Sequence, residues 1–342
     1  MRQSLPGWVT SLAVVAAVFA GLLAYVVVRT DGDWALFLQL SVNGVTLGSV
    51  YALIALGYSM VYGILKLLNF AHGDVYMVGA FIGFAVLTMF GGPLDPSVPL
   101  WLLVTAMLLA AMIACGGLGV LIERFAYRPL RDAPRIAPLI SALGVSFFLQ
   151  NSALLLLGAD FRDYDPFTLF QDAEGFIPSV ELGTVSISIM RGIVIAGAVA
   201  LMIALTLLVA RTRIGKAMRA TAFDREAAMM MGIDTDRVIA ATFFIGSALA
   251  GAAGVMFGLV FSQIFHFMGF LAGLKGFTAA VVGGIGSIPG AMLGGLLVGL
   301  TEAYATGYAS GNWADLIVFS LLVAVMLFRP SGLLGTPAIQ KV

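Results

Sequence analysis

Charge is what this sequence has least of. Only 11% of its 342 residues are Asp, Glu, Lys or Arg, against about a quarter in a soluble domain. With 61% hydrophobic residues and a mean hydropathy of +1.04, such a chain cannot clothe a soluble core; it is an integral membrane protein. Cysteine is almost absent: Cys115 stands alone in an apolar run, so no internal disulfide forms and the redox compartment is not legible. The two histidines, His72 and His266, are far apart in sequence. No metal-ligand cluster, nucleophile with a base, or Walker A loop is present, so catalysis and a cofactor of the chain's own are unsupported. The net charge of +0 points to no nucleic-acid partner.

Glycine, by contrast, is plentiful, with 41 residues. Small residues recur four apart at Gly44/Gly48, Gly79/Gly83, Gly254/Gly258, Gly290/Gly294 and Gly295/Gly299. In lipid, where no hydrophobic drive separates helix from solvent, such spacing lets helices pack closely. The expectation is a compact all-α polytopic bundle.

Orientation follows from the basic residues, which mark cytoplasmic loops. Glu123 to Arg135, with Arg124, Arg128, Arg131 and Arg135, is one such loop; residues 211–237, with Arg211, Arg213, Lys216, Arg219, Arg225 and Arg237, form the other. Ala159 to Met190 is a polar insert with Asp160, Asp163, Asp165, Asp172, Glu174 and Glu181. It reads as external, and its alternating Val185-Ser186-Ile187-Ser188-Ile189 suggests a strand or hairpin. The apolar run Val9 to Val28 is of spanning length and lacks a convincing cleavage site, so residues 1–33 read as an extra, uncleaved segment ahead of the domain 34–342.

The interval Gly276 to Tyr304 is long enough for one span. Read as two segments broken at Gly283-Gly284-Ile285-Gly286-Ser287-Ile288-Pro289-Gly290, it places Arg329 and Lys341 inside. That gives about ten membrane segments, some short, with both termini in the cytoplasm. Broken backbone within a membrane is tolerated inside protein or beside a water-filled cavity, so Gly283, Gly284, Gly286 and Pro289 are candidate gate residues. Asn43, Asn69, His72 and Asp74 are candidates too, as the polar residues nearest the membrane interior. His72 and Asp74 read first as caps that orient a helix break. Lys275 and His266 read as a short external segment, and Glu302 as lying near the external end of its own segment.

Within 211–237, Asp224 is placed to cap a short helix, Glu226 to favour its first turn, and Gly232 to stop it in a left-handed conformation. Asp234 and Thr235 are candidate caps for the next helix. A helix of about two turns is marginal alone in water and needs something to dock against. Glu226-Ala227-Ala228, three residues, then Gly232 resembles the EAA loop of ABC importer permeases, which docks on an ATP-binding subunit; an ordinary amphipathic connector has the same pattern. The run Met229-Met230-Met231 suits the adaptable apolar face of such a helix.

Longer blocks carry a more specific resemblance. Asn43–Leu65 (NGVTLGSVYALIALGYSMVYGIL), Leu68–Met77 (LNFAHGDVYM), Glu123–Arg131 (ERFAYRPLR), Met231–Ala240 (MGIDTDRVIA), Phe277–Gly295 (FTAAVVGGIGSIPGAMLGG) and Arg329–Gly335 (RPSGLLG) are similar to the H-type permease of bacterial branched-chain amino-acid ABC importers. The resemblance spans about residues 34–342. It implies a type II importer-like permease in the bacterial inner membrane, with a second permease subunit, two cytoplasmic ABC ATPases that use the ATP, and a periplasmic solute-binding protein. Coupling then falls on Asp224, Glu226, Ala227, Ala228 and Gly232, and the solute is leucine, isoleucine or valine. Similar permeases serve urea, short amides and other amino acids. A rival of another class, an ion-coupled secondary transporter, also uses broken helices, but calls for buried ionisable residues rather than a docking helix.

Overall fold

A computed structural model describes residues 34–90, 99–131, 133–134, 136–164, 179–182 and 185–335. The first long helix, α1 (Trp34–Leu65), runs for 32 residues with neither charge nor proline, about 48 Å at 1.5 Å per residue. Then come α2 (His72–Met89), α3 (Leu100–Ile122), a π-helical turn Glu123–Tyr127 with a 3-10 turn Arg128–Leu130, and α4 (Ile136–Leu157). After the polar insert, α5 (Ile189–Arg211) leads to the basic loop, which holds α6 (Arg213–Phe223) and α7 (Arg225–Met230). The carboxy-terminal part is α8 (Thr235–Phe261), α9 (Met268–Gly283), α10 (Ile288–Tyr304) and α11 (Gly311–Phe328).

Eight of the described helical stretches are long and apolar enough to cross a membrane, and α9 is a shorter apolar helix. The protein is a multi-pass membrane protein, and the interval 276–304 is two helices rather than one. Val9–Val28 lies outside the described residues, as do residues 91–98 and half of the insert.

Two helices form the centre. α1 and α8 are buried along most of their length, whereas α4, α5 and α11 turn apolar side chains such as Phe148, Leu155, Ile203, Leu327 and Phe328 outward. Glycine sets the spacing. A Cβ on Gly48 would stand 2.8 Å from the Cα of Leu296, and one on Gly44 would stand 2.8 Å from the Cα of Leu300. Both distances are well inside van der Waals contact, so α10 lies flush on α1 only because side chains are missing there. Gly79 of α2 meets Gly251 of α8 in the same way.

The external side is stapled by small strands. β1 (Arg162–Asp163) pairs antiparallel with β4 (Gln263–Ile264), and β2 (Ser179–Leu182) forms a hairpin with β3 (Val185–Ser188), in line with the alternation read there. Tyr164 follows β1, buries its ring against Gly258 and donates its O–H to the carbonyl of Ala80. Burial pushes this phenol well above its ordinary pKa, so it stays a donor at physiological pH.

One placement differs from expectation. Lys275 is a buried residue inside α9, which begins at Met268 rather than Gly276. A lysine in an apolar interval reads as its end, yet here it lies 2.7 Å from a carboxylate oxygen of Glu302 on α10 and 2.7 Å from one of Asp315 on α11. Tyr51 of α1 donates to the other oxygen of Glu302 at 3.0 Å. Four helices thus meet on one ion cluster that neutralises the lysine inside the bundle.

Candidate functional site: a cytoplasmic lever and a glycine-rich break

Each end of the basic loop's short helices is closed by a residue of the right type. Thr212 Oγ1 accepts from the N–H of Gly215 at 3.0 Å and starts α6. Asp224 ends α6 and starts α7, its carboxylate accepting from the N–H of Ala227 at 3.0 Å, with Glu226 in the first turn. At the other end Gly232 has φ +81. Its N–H reaches the carbonyl of Met229 at 3.0 Å, and the N–H of Ile233 reaches that of Ala228 at 3.1 Å. This is the paired-bond Schellman ending, which needs a residue tolerant of positive φ. Asp234 then accepts from the N–H of Arg237 at 3.1 Å and starts α8; Thr235 is that helix's first residue.

The six residues of α7 are therefore a stiff unit despite their length. Ala228 is buried beneath it, while Phe223, Met230 and Met231 are 94%, 88% and 82% exposed. Phe223 and the whole of α6 escape a reading of the sequence alone. A signal is nevertheless there: Gly215, Met218 and Thr221, three apart, are the residues α6 buries.

The glycine-rich break closes on itself. Gly284 (φ +110) and Gly286 (φ +90) turn the chain, Ser287 Oγ accepts from the N–H of Gly290 at 3.1 Å, and Pro289 sits in the first turn of α10. The end of α9 is then covered from an unexpected quarter. The tail after α11 folds back so that the N–H of Leu333 bonds the carbonyl of Val282 at 2.9 Å and that of Leu334 bonds Gly283 at 2.8 Å. A cavity of about 100 Å³, lined among others by Ser59, Gly63, Gly286 and Ile288 on one side and Met218, Arg219 and Ala222 of α6 on the other, separates the break from α6.

The four polar candidates divide into two groups. Asn43 stands apart, its side-chain oxygen accepting from the guanidinium of Arg191 on α5. Asn69, His72 and Asp74 lie together, buried at the start of α2. His72 packs edge-on to Tyr58 at 4.8 Å between ring centroids, level with Gly57 of α1 and Gly246 of α8, so α2 starts in the interior of the bundle. Its Nε2 is a buried nitrogen without a partner, as is the Nδ2 of Asn69. Asp74 accepts from Gln150 of α4 at 2.9 Å, and Asn69 accepts from Tyr127 at 3.3 Å. Neither His72 nor Asp74 caps the helix: its cap is Ala71, with no side-chain bond. Their polar atoms instead meet, or are left open toward, other spans.

Among the described residues no group of His, Cys, Asp and Glu could hold a metal ion. Buried polar pairs link spans, glycine contacts let them pack closely, and a capped short helix stands in the loop between α5 and α8. A bundle built this way is a multi-pass membrane protein. The chain belongs to the family described as "Branched-chain amino acid transport system / permease component", which its residues 40–326 match. It is 48% identical over 309 residues, 90% of its own length and 98% of the relative's, to the high-affinity branched-chain amino acid transport system permease protein LivH of Salmonella typhimurium. It is 47% identical over 306 residues, with the same coverage, to the corresponding protein BraD of Pseudomonas aeruginosa. A more distant relative is the autoinducer 2 import system permease protein LsrC of Yersinia enterocolitica, 26% identical over 203 residues, 57% of this chain and 53% of that one.

Proposed function

We propose that this chain forms half of the membrane path of a high-affinity, ATP-driven importer of leucine, isoleucine and valine in the bacterial inner membrane. A second permease subunit supplies the other half, two cytoplasmic ABC ATPases hydrolyse the ATP, and a periplasmic binding protein delivers the solute. The chain itself needs no cofactor. The observation that carries the reading is the lever: a six-residue helix, closed at Asp224 and Gly232, that holds Phe223, Met230 and Met231 out to the cytoplasm. Exposed aromatic and methionine side chains on a short rigid element are what a partner's cleft grips.

Closure of the ATPase dimer pushes this helix, with Glu226, Ala227 and Ala228 at its centre, and the push passes to α5 and α8 on either side. The break at Gly283, Gly284, Gly286 and Pro289 lies across the small cavity from α6 and opens or seals the cytoplasmic end. Asn69 and His72, with their unpaired nitrogens, and Asp74 line the interior step, and Asn43 with Arg191 lies on the external side. The solute follows from the relatives' names at nearly half identity; LsrC, at 26%, carries a name for a different solute.

The Lys275–Glu302–Asp315 cluster is a feature an ion-coupled carrier would also use. Its lysine is held by two carboxylates at 2.7 Å each, and a cation already neutralised that closely suits a structural clamp better than a site that must bind and release an ion.

The test is uptake of labelled leucine into proteoliposomes holding the chain with its genomically adjacent permease, ATPases and binding protein. Gly232→Pro removes the N–H bonded to Met229 and forbids φ +81, so uptake is lost while the complex still assembles; valine competes and urea does not. Competition by urea alone overturns the solute, and full uptake by the proline variant overturns the lever.

A further inference from the structure

The arginines of the first cytoplasmic loop are informative in sequence only as markers of orientation, yet they converge on one carboxylate at the foot of the lever. We propose that Asp236, in the first turn of α8, is the joint through which α7 moves the rest of the bundle. This rests on the reading of α7 as the ATPase-driven lever.

Three guanidiniums share Asp236. Arg131 reaches one of its oxygens at 2.5 Å, Arg128 takes the other, and Arg225, the first residue of α7, stands 3.9 Å from the oxygen that Arg131 already holds. The two sides of this junction differ in stiffness. Arg131 is also paired with Glu123 at the end of α3, and those two side chains are only 5% and 3% exposed. Arg225 is 41% exposed and outside tight contact. A shift of α7 therefore changes how closely Arg225 competes for an oxygen whose other ligand is fixed.

What the fixed side holds is the reason to assign it more than a clamp's role. Glu123 opens the π-turn Glu123–Tyr127, and π-turns concentrate at functional positions. From that turn the carbonyl of Ala126 accepts from Ser141 of α4 at 3.0 Å. Tyr127 donates to the carbonyl of Leu68 at 3.0 Å and lies 3.3 Å from the side-chain oxygen of Asn69. Polar contacts run from the lever through Asp236 and Arg131 to Glu123, and the π-turn carries the link on to Tyr127 and the connection between α1 and α2, where Asn69 and His72 keep buried nitrogens unpaired. Beside the joint lies a polar cleft of about 360 Å³ lined by Glu123, Arg124, Arg128, Asp234, Asp236 and Arg237, which gives the guanidiniums room to re-seat.

Asp236 is a positioning residue, so the readout is leucine imported per ATP hydrolysed by the whole reconstituted complex. Asp236→Asn lowers that ratio about five-fold or more, the lower range of energetic coupling between sites, with assembly and ATPase activity retained. Arg225→Gln, a partly exposed position where folding is not at stake, lowers it by a smaller factor, and the double variant is no worse than Asp236→Asn alone because both act through one contact. Arg162→Gln, whose guanidinium bonds the carbonyl of Leu157 beside β1, leaves the ratio as in the wild type. An unchanged ratio in Arg225→Gln, losses that multiply in the double variant, or ATPase and uptake falling in parallel overturns the proposal. Failure of the lever reading shows separately, as wild-type uptake that does not require the ATPases, and it takes this proposal down with it.

Discussion

Lys275 shows how much one residue decides. Its ammonium is the only cation between Glu302 and Asp315 among the described residues, so Lys275→Met leaves the largely buried carboxylate of Glu302 without its cation, beside the half-exposed Asp315. Breaking a buried pair by removing one partner costs about 3–5 kcal/mol. The variant is expected to melt well below the wild type in a thermal unfolding assay of the detergent-solubilised complex, with recovery when Glu302→Gln and Asp315→Asn are added. An unchanged melting temperature for Lys275→Met would show the cluster to be idle. Sequence alone could not supply this pairing, since the three residues are far apart along the chain and only the antiparallel packing of α9, α10 and α11 unites them. Asp224 and Gly232 are legible for the opposite reason: a capping carboxylate and a left-handed glycine act on backbone a few residues away, so their chemistry is written locally.

At the scale of the element, the same contrast holds. Proline and glycine between Gly283 and Gly290, with the charge on Arg329, are enough to split one apolar interval into α9 and α10. The face-to-face meeting of Gly44 and Gly48 with α10 is visible in sequence as spacing but not as partnership. The covering of α9 by the tail is invisible there, because Arg329–Gly335 is about fifty residues from the carbonyls it satisfies. Those bonds make a prediction. Truncation after Phe328 leaves the carbonyls of Val282 and Gly283 without the N–H groups of Leu333 and Leu334, and an unmet buried carbonyl costs about 1–3 kcal/mol. Hydrogen exchange in the last turn of α9 should accelerate by at least an order of magnitude in the truncated chain, while exchange in α8 stays slow. Equal protection in both chains would mean that the tail holds nothing in place.

The described residues form an asymmetric body: a dense centre of α1 and α8 with α10 laid on α1 through glycine contacts, a periphery of α4, α5 and α11 with outward apolar faces, and the capped helix α7 in the loop between α5 and α8. The sequence carries no Walker A loop with which such a body could draw on ATP by itself. On the proposed account its motion is borrowed through α7, passed on at Asp236, and expressed at the break beside α6. The most direct test is uptake of labelled leucine by vesicles in which the two permeases and the binding protein are kept and the ATPases are either supplied or omitted, each under an imposed proton or sodium gradient. Uptake should occur only with the ATPases and ATP inside, whatever the gradient. Leucine accumulation driven by an ion gradient with no ATPase present would contradict the account.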